Sequence, residues 1–145
     1  MAKVYVASSW RNEYQQQVVE RLRAVGAEVY DFKHPNGGKG FSWSDVDPDW
    51  KNWDVKTYVD GLEHKMAVEG FKRDFEAMKK ADICVLVLPC GRSAHAEAGW
   101  MAGARKTVIA YIPKLEEAEL MYNLFYAVTD SLDEVCSMVE RYGKK

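Results

Sequence analysis

The sequence predicts an α/β fold: one domain, roughly five parallel strands in the flavodoxin-like or Rossmann-like order 2-1-3-4-5, and helices on both faces. Three observations carry this. Short β-branched runs alternate with segments of helical spacing along the chain. The run ICVLVL at 83–88 is apolar throughout, as a strand buried on both faces of a parallel sheet must be. The 145 residues are 48% hydrophobic and 29% charged, enough for one core and unlike a disordered or fibrous chain.

The elements follow in order. KVYVAS at 3–8 reads as a buried strand. Tyr14, Val18, Leu22 and Val25 recur at helical spacing, and Gly26 stands where a helix end favours a positive φ. AEVYDF at 27–32 is a second strand. From about 33 to 54 the pattern dissolves into a Trp- and Gly-rich insertion, read as a functional loop or flap. Its aromatic residues, Phe41, Trp43, Trp50 and Trp53, either pack as a satellite cluster or stack on a planar ligand.

Helical spacing returns with Val68, Phe71, Phe75 and Met78, ending at Lys79 and Lys80. After the strand at 83–88 comes a small-residue helix at 94–105, then a strand at 107–112. Residues 115–125 look helical, and 127–129 form a short edge strand. Ser131 and Glu134 make a capping box for a last helix whose Leu132, Val135, Val139 and Tyr142 face inward. In this strand order the loops at 8–11 and 89–93 lie side by side where the winding reverses, and ligands bind at such a crevice.

Composition narrows the partners. A net charge of −2 provides no global basic field, so no nucleic-acid polymer is expected and any bound anion needs a local site. No apolar run is long enough for a bilayer, so no membrane partner is expected. The N-terminus enters a strand without a signal-like stretch, and three cysteines form no CxxC; both point to reduced thiols and a cytoplasmic protein.

Several chemistries lack their signatures. The first loop, ASSWRN, is not GxGxxG, and Gly37–Gly38–Lys39–Gly40 lacks the ending of a P-loop. His34, His64 and His95 are scattered, and no Cys/His spacing suits zinc. No metal and no cofactor are expected.

The informative segment is PCGRSAHAEAGWMAGARK at 89–106. It turns at Gly91 and enters a helix near Ser93, whose first N–H groups, with Arg92 and the Ser93 hydroxyl, would meet an anion. Glu97 lies about one turn in. It is either a carboxylate answering the helix dipole or a group pressed against the crevice with altered reactivity. With Ser93 as N-cap, the capping-box position falls on Ala96, so reciprocal capping does not explain Glu97. Asp74, at the border of an apolar helical stripe, is either exposed or a second carboxylate for the same crevice. Two such acids are what glycosidic cleavage requires. Ser9 and Arg11 flank the crevice from the first loop, or serve as a cap and a solvated cation. His95 reads as a surface residue of the helix.

KVYVASSWRN, GFKRDFEAMKKADICVLVLP and GRSAHAEAGWMAGARK together resemble the nucleoside 2-deoxyribosyltransferase family and its nucleotide N-hydrolase relatives, over about residues 3–123. The resemblance implies a five-stranded parallel α/β fold, no metal, and action on the N-glycosidic bond of a (2′-deoxy)nucleoside or its 5′-monophosphate. Glu97 matches the family nucleophile, which attacks C1′ to form a covalent glycosyl intermediate. Asp74 matches the residue that assists departure of the base. Ser9 and Arg11 match the substrate-binding loop, with Gly91, Arg92 and Ser93 in the facing turn.

The family forms homodimers or larger homo-oligomers with shared pockets, and here residues 120–123, including Tyr122 and Asn123, are the candidates for that contact. Transferases of the family carry an aspartate six residues before the nucleophile; this chain has Gly91 there, which favours a monophosphate and water. The rival expectation is a non-catalytic nucleotide-binding sensor or interaction module on the same fold.

Overall fold

A computed structural model describes residues 1–144. Five strands, β1 (Lys3–Ala7), β2 (Glu28–Asp31), β3 (Ile83–Val87), β4 (Thr107–Tyr111) and β5 (Ala127–Thr129), form one all-parallel sheet in the order β2-β1-β3-β4-β5. The helices are α1 (Gln15–Ala24), α2 (Trp43–Val46), α3 (Val55–Leu62), α4 (Lys65–Lys80), α5 (Arg92–Gly103) and α6 (Leu132–Gly143). The expected fold class and strand order hold. The central strand β3 is buried at every position, as its uninterrupted apolar run requires.

Side chains alternate across a strand, so the sheet carries two cores. Val4, Val6, Ile83, Val85 and Ile109 pack with Val18 and Leu22 of α1 and Val135 and Val139 of α6. Tyr5, Ala7, Cys84 and Leu86 face the other way, with Ala94, Ala98 and Met101 of α5 and Met78 of α4. The small residues of α5 let its backbone lie close on β3 and β4, and this is what brings Glu97 down toward the strands.

Local chemistry sets the helix boundaries. The Asn12 carboxamide oxygen accepts from the N–H groups of Tyr14 (2.7 Å) and Gln15 (2.8 Å), which starts α1. After α1, Gly26 adopts φ +90°, a conformation that β-carbons disfavour. Ser131 caps α6 by accepting from Glu134 N–H (3.1 Å). The return half of the box is relayed: Ser131 N–H donates to the Thr129 hydroxyl, which donates to the Glu134 carboxylate.

Three expectations need correction. The insertion after β2 is not structureless: Pro35–Gly37, Trp43–Val46 and Trp50–Asn52 are short helical turns, and the unanticipated α3 follows. Its rings cluster, Trp43 lying 5.0 Å from Phe41, 5.8 Å from Trp53 and 5.9 Å from Tyr58. Gly61 and Gly70 leave room for this packing, since a β-carbon there would meet Trp53 and Phe41. In 115–125, only Leu120–Leu124 is helical, as a 3₁₀ turn. Finally, α5 is capped by Gly91 and begins at Arg92, so Ser93 lies inside the first turn.

Candidate active site

The loop after β1 and the loop after β3 are stapled together. Ser8 Oγ donates to the Val87 carbonyl (2.9 Å), and Asn12 Nδ2 donates to the carbonyls of Val87 (3.3 Å) and Pro89 (2.9 Å). Ser9 Oγ accepts from Gly91 N–H (2.9 Å), so Ser9 holds the turn that opens α5 rather than capping its own helix. The Leu88–Pro89 peptide is cis. Arg11, Arg92 and Ser93 are exposed around this junction, and neither arginine has an ion-pair partner among the described residues.

Glu97 and Asp74 come together beneath this junction, on the α4–α5 face of the sheet. Neither sits at a strand tip. Glu97 descends from α5 to Tyr5, midway along β1, whose hydroxyl donates to Glu97 Oε2. Asp74 descends from α4 to Tyr30 of β2, whose hydroxyl donates to Asp74 Oδ1 (2.7 Å). Tyr5 and Tyr30 are register partners, and their rings stack at 5.4 Å and 10°. Two acids from two helices are thus carried by two adjacent phenols from two adjacent strands.

The electrostatics follow from burial and few donors. Burial is the main force lifting the Glu97 carboxyl to about 7, with the charge of Asp74 adding to it and the Tyr5 hydrogen bond opposing it. Burial also raises Asp74, against the Tyr30 hydrogen bond and the neighbouring Arg73 charge. Burial and then the facing carboxylates push Tyr5 far above the ordinary phenol range, so it stays a donor. Cys90 is not a thiolate at neutral pH; burial, then Glu97, pushes it up to about 12.

His95 was expected at the surface but is half-buried and bonded on both ring nitrogens. Nδ1 lies 2.7 Å from the Gly91 carbonyl and Nε2 lies 2.8 Å from the Tyr122 hydroxyl. A carbonyl only accepts, so Nδ1 carries the proton and Nε2 accepts from Tyr122. His95 and Tyr122 line a cavity of about 350 Å³ with Leu88, Pro89, Cys90 and residues 114–119; Glu97 and Asp74 are not part of its lining. Tyr122 therefore meets its own chain's α5, while Asn123 is exposed and its amide donates to the Leu120 carbonyl (3.0 Å). Among the described residues no group of three His, Cys, Asp or Glu comes together to hold a metal, and no helix is long and apolar enough to cross a membrane.

Sequence reasoning missed Tyr5, Tyr30 and the bonded state of His95. A signal existed for Tyr5: a tyrosine inside a fully buried strand must find a partner for its hydroxyl, and a carboxylate from a covering helix is the strongest one available.

Neither a protein-family model nor a curated protein matches the sequence. Solved structures do match. A 2-deoxyribosyltransferase from the psychrotolerant bacterium Bacillus psychrosaccharolyticus is 22% identical at a TM-score of 0.60, over 92% of this chain and 90% of that one. A CMP N-glycosidase of Clostridium botulinum is 17% identical at a TM-score of 0.50, over 95% and 98% of the two chains. A conserved protein from Enterococcus faecalis is 16% identical at 0.59, over 98% and 99%. The chain has the fold of these proteins over 92–98% of its length, the fold that the family resemblance implied.

Proposed function

We propose that this protein cleaves the N-glycosidic bond of a nucleoside or nucleoside 5′-monophosphate, passing the sugar to water or to a second nucleobase. The observation that carries this reading is the pairing of Glu97 with Asp74, two half-buried carboxyl groups brought into electrostatic contact from separate helices. The shared fold with a 2-deoxyribosyltransferase and a CMP N-glycosidase supports it.

Glu97, ionised and aimed by the Tyr5 hydroxyl, attacks C1′. The C1′–O bond to Glu97 forms as the C1′–N bond breaks, and its electron pair leaves with the base. A proton from Asp74 neutralises the departing base. Asp74, now a carboxylate, then takes a proton from water or from an incoming base, whose attack on C1′ frees Glu97 and restores the starting state. This cycle needs one proton on the pair, on Asp74. Because Glu97 is lifted to about 7 with Asp74 already charged beside it, that proton favours Glu97 in the free protein, and the reactive form is the minority tautomer. The two acids repel each other's charge, so their titration steps belong to the pair, and the rate should be bell-shaped in pH.

A 5′-phosphate would be met by the first N–H groups of α5 together with Arg92, Ser93 and, from the facing loop, Arg11. Residues Leu120, Met121 and Leu124 are 71%, 56% and 65% exposed, and in this reading they form the contact with a second copy that completes the pocket.

The test is a panel of nucleosides and monophosphates assayed for released base with purified protein. Base release that collapses in Glu97→Gln, together with a glycosyl adduct on the intact wild-type protein by mass spectrometry, is the expected result. Full turnover in Glu97→Gln would overturn the mechanism. A foreign base added to the assay separates transfer, which makes a new nucleoside, from hydrolysis, which leaves free sugar. Nucleotide binding without base release by the wild-type protein would instead favour the sensor reading.

A further inference from the structure

Tyr30 touches both halves of the site yet has no place in the chemistry above. Its hydroxyl donates to Asp74 Oδ1 and its ring lies flat on Tyr5, the donor to Glu97. The groups facing Asp74 are Tyr30 from β2, Tyr5 from β1, Glu97 from α5 and Arg73 beside it on α4. Among the described residues Oδ2 of Asp74 accepts no hydrogen bond. One carboxyl oxygen is therefore occupied and the other is free.

We propose that Tyr30 is a positioning residue that selects Asp74 Oδ2 as the working oxygen. The inference rests on the glycosidic reading above and adds an atom to it. A phenol that holds its own proton and donates it to Oδ1 disfavours a proton on that oxygen. When Asp74 is protonated the hydrogen therefore resides on Oδ2, from which it passes to the leaving base. The stack on Tyr5 fixes the tilt of Tyr30, so the position of Asp74 is referred to the same β1 residue that aims Glu97. Tyr30 keeps the two acids in one frame although they arrive on different helices.

Tyr30→Phe keeps the ring stack and deletes only the donor. Its expected signature is a kcat about tenfold lower with KM little changed, the scale of losing one hydrogen bond to a charged group. The Asp74 titration, read by carboxyl ¹³C NMR in the whole protein, should move upward, because burial is then less opposed. The limb of the pH–rate profile that reports Asp74 should move with it. The double variant Tyr30→Phe/Asp74→Asn should be no slower than Asp74→Asn alone, since Tyr30 acts through Asp74. Fluorotyrosine at position 30, which keeps the hydroxyl, should restore kcat.

Unchanged kcat with an unmoved Asp74 titration in Tyr30→Phe would overturn the proposal, as would losses that multiply in the double variant. Failure of the glycosidic reading looks different: the wild-type protein then releases no base from any member of the panel, and Tyr30 loses its reaction along with Asp74.

Discussion

Two carboxylates buried against the same sheet have opposite fates. Asp31 at the end of β2 is 4% exposed, yet its carboxyl is held below its ordinary value. Burial opposes that charge, but Gln16, Gln15, His34 and the Lys33 N–H all donate to it, at 2.9–3.2 Å. Glu97, on which burial is the largest influence, receives one phenol and rises to about 7. Burial weighs more heavily on Glu97 and donors more heavily on Asp31, and the balance of the two sets the direction of each shift. Asp31 ties α1 to the loop after β2, whereas Glu97 is left with one donor beside the second carboxyl group, Asp74.

The comparison can be broken most directly at Glu97. Glu97→Gln should lower base release by about 10²–10⁴-fold while the protein stays folded, measured by turnover and by thermal unfolding. Deleting the structural carboxylate should reverse the pattern. Asp31→Ala leaves four donors without their acceptor and should cost about 3 kcal/mol in urea denaturation, with turnover per folded molecule nearly unchanged.

pH sharpens the contrast, because the two signs are opposite. Glu97 binds its proton more tightly folded than unfolded, so its contribution to stability falls as pH rises from its ordinary 4.5 to about 7 and is flat beyond. Removing that loss in Glu97→Gln should narrow the stability gap between acid and neutral pH by up to about 3 kcal/mol. Asp31, depressed in the fold, contributes stability that is present above its ordinary 3.8 and is lost as pH falls below it. Chemical denaturation of both variants across pH 3–8 checks the two slopes.

Tyr5→Phe removes the one donor that opposes burial at Glu97. Its titration should move further upward, displacing the limb of the pH–rate profile that reports Glu97 ionisation toward alkaline pH. The smallest effect is expected away from both acids. Gly70→Ala places a β-carbon 3.0 Å from Phe41 Cβ and should cost about 1–2 kcal/mol in thermal unfolding, loosening the insertion from α4 without moving the pH profile.

Much of the fold was legible because the signals are local and periodic. The apolar run of β3, the spacing of α1, α4 and α6, and the Ser131 cap are each decided by a handful of neighbouring residues. The insertion was misread for the same reason. Its short helices lack a repeating stripe and depend on ring packing of Phe41, Trp43, Trp53 and Tyr58, contacts between turns that no period announces. His95 was misplaced because its partner, Tyr122, is 27 residues away.

The sequence by itself determined which side chains were available: a carboxylate just past a glycine turn, a second on the preceding helix, and a chain that alternates strand and helix in the way a parallel sheet demands. Tertiary structure alone decided what they became. Parallel register put Tyr5 beside Tyr30, and the close seat of α5 carried Glu97 down to the first of them, 92 residues away in the chain. Proton affinity depends on solvent and donors within a few ångströms, and those neighbours come from four different elements. No stretch of sequence contains that environment until the sheet has assembled it.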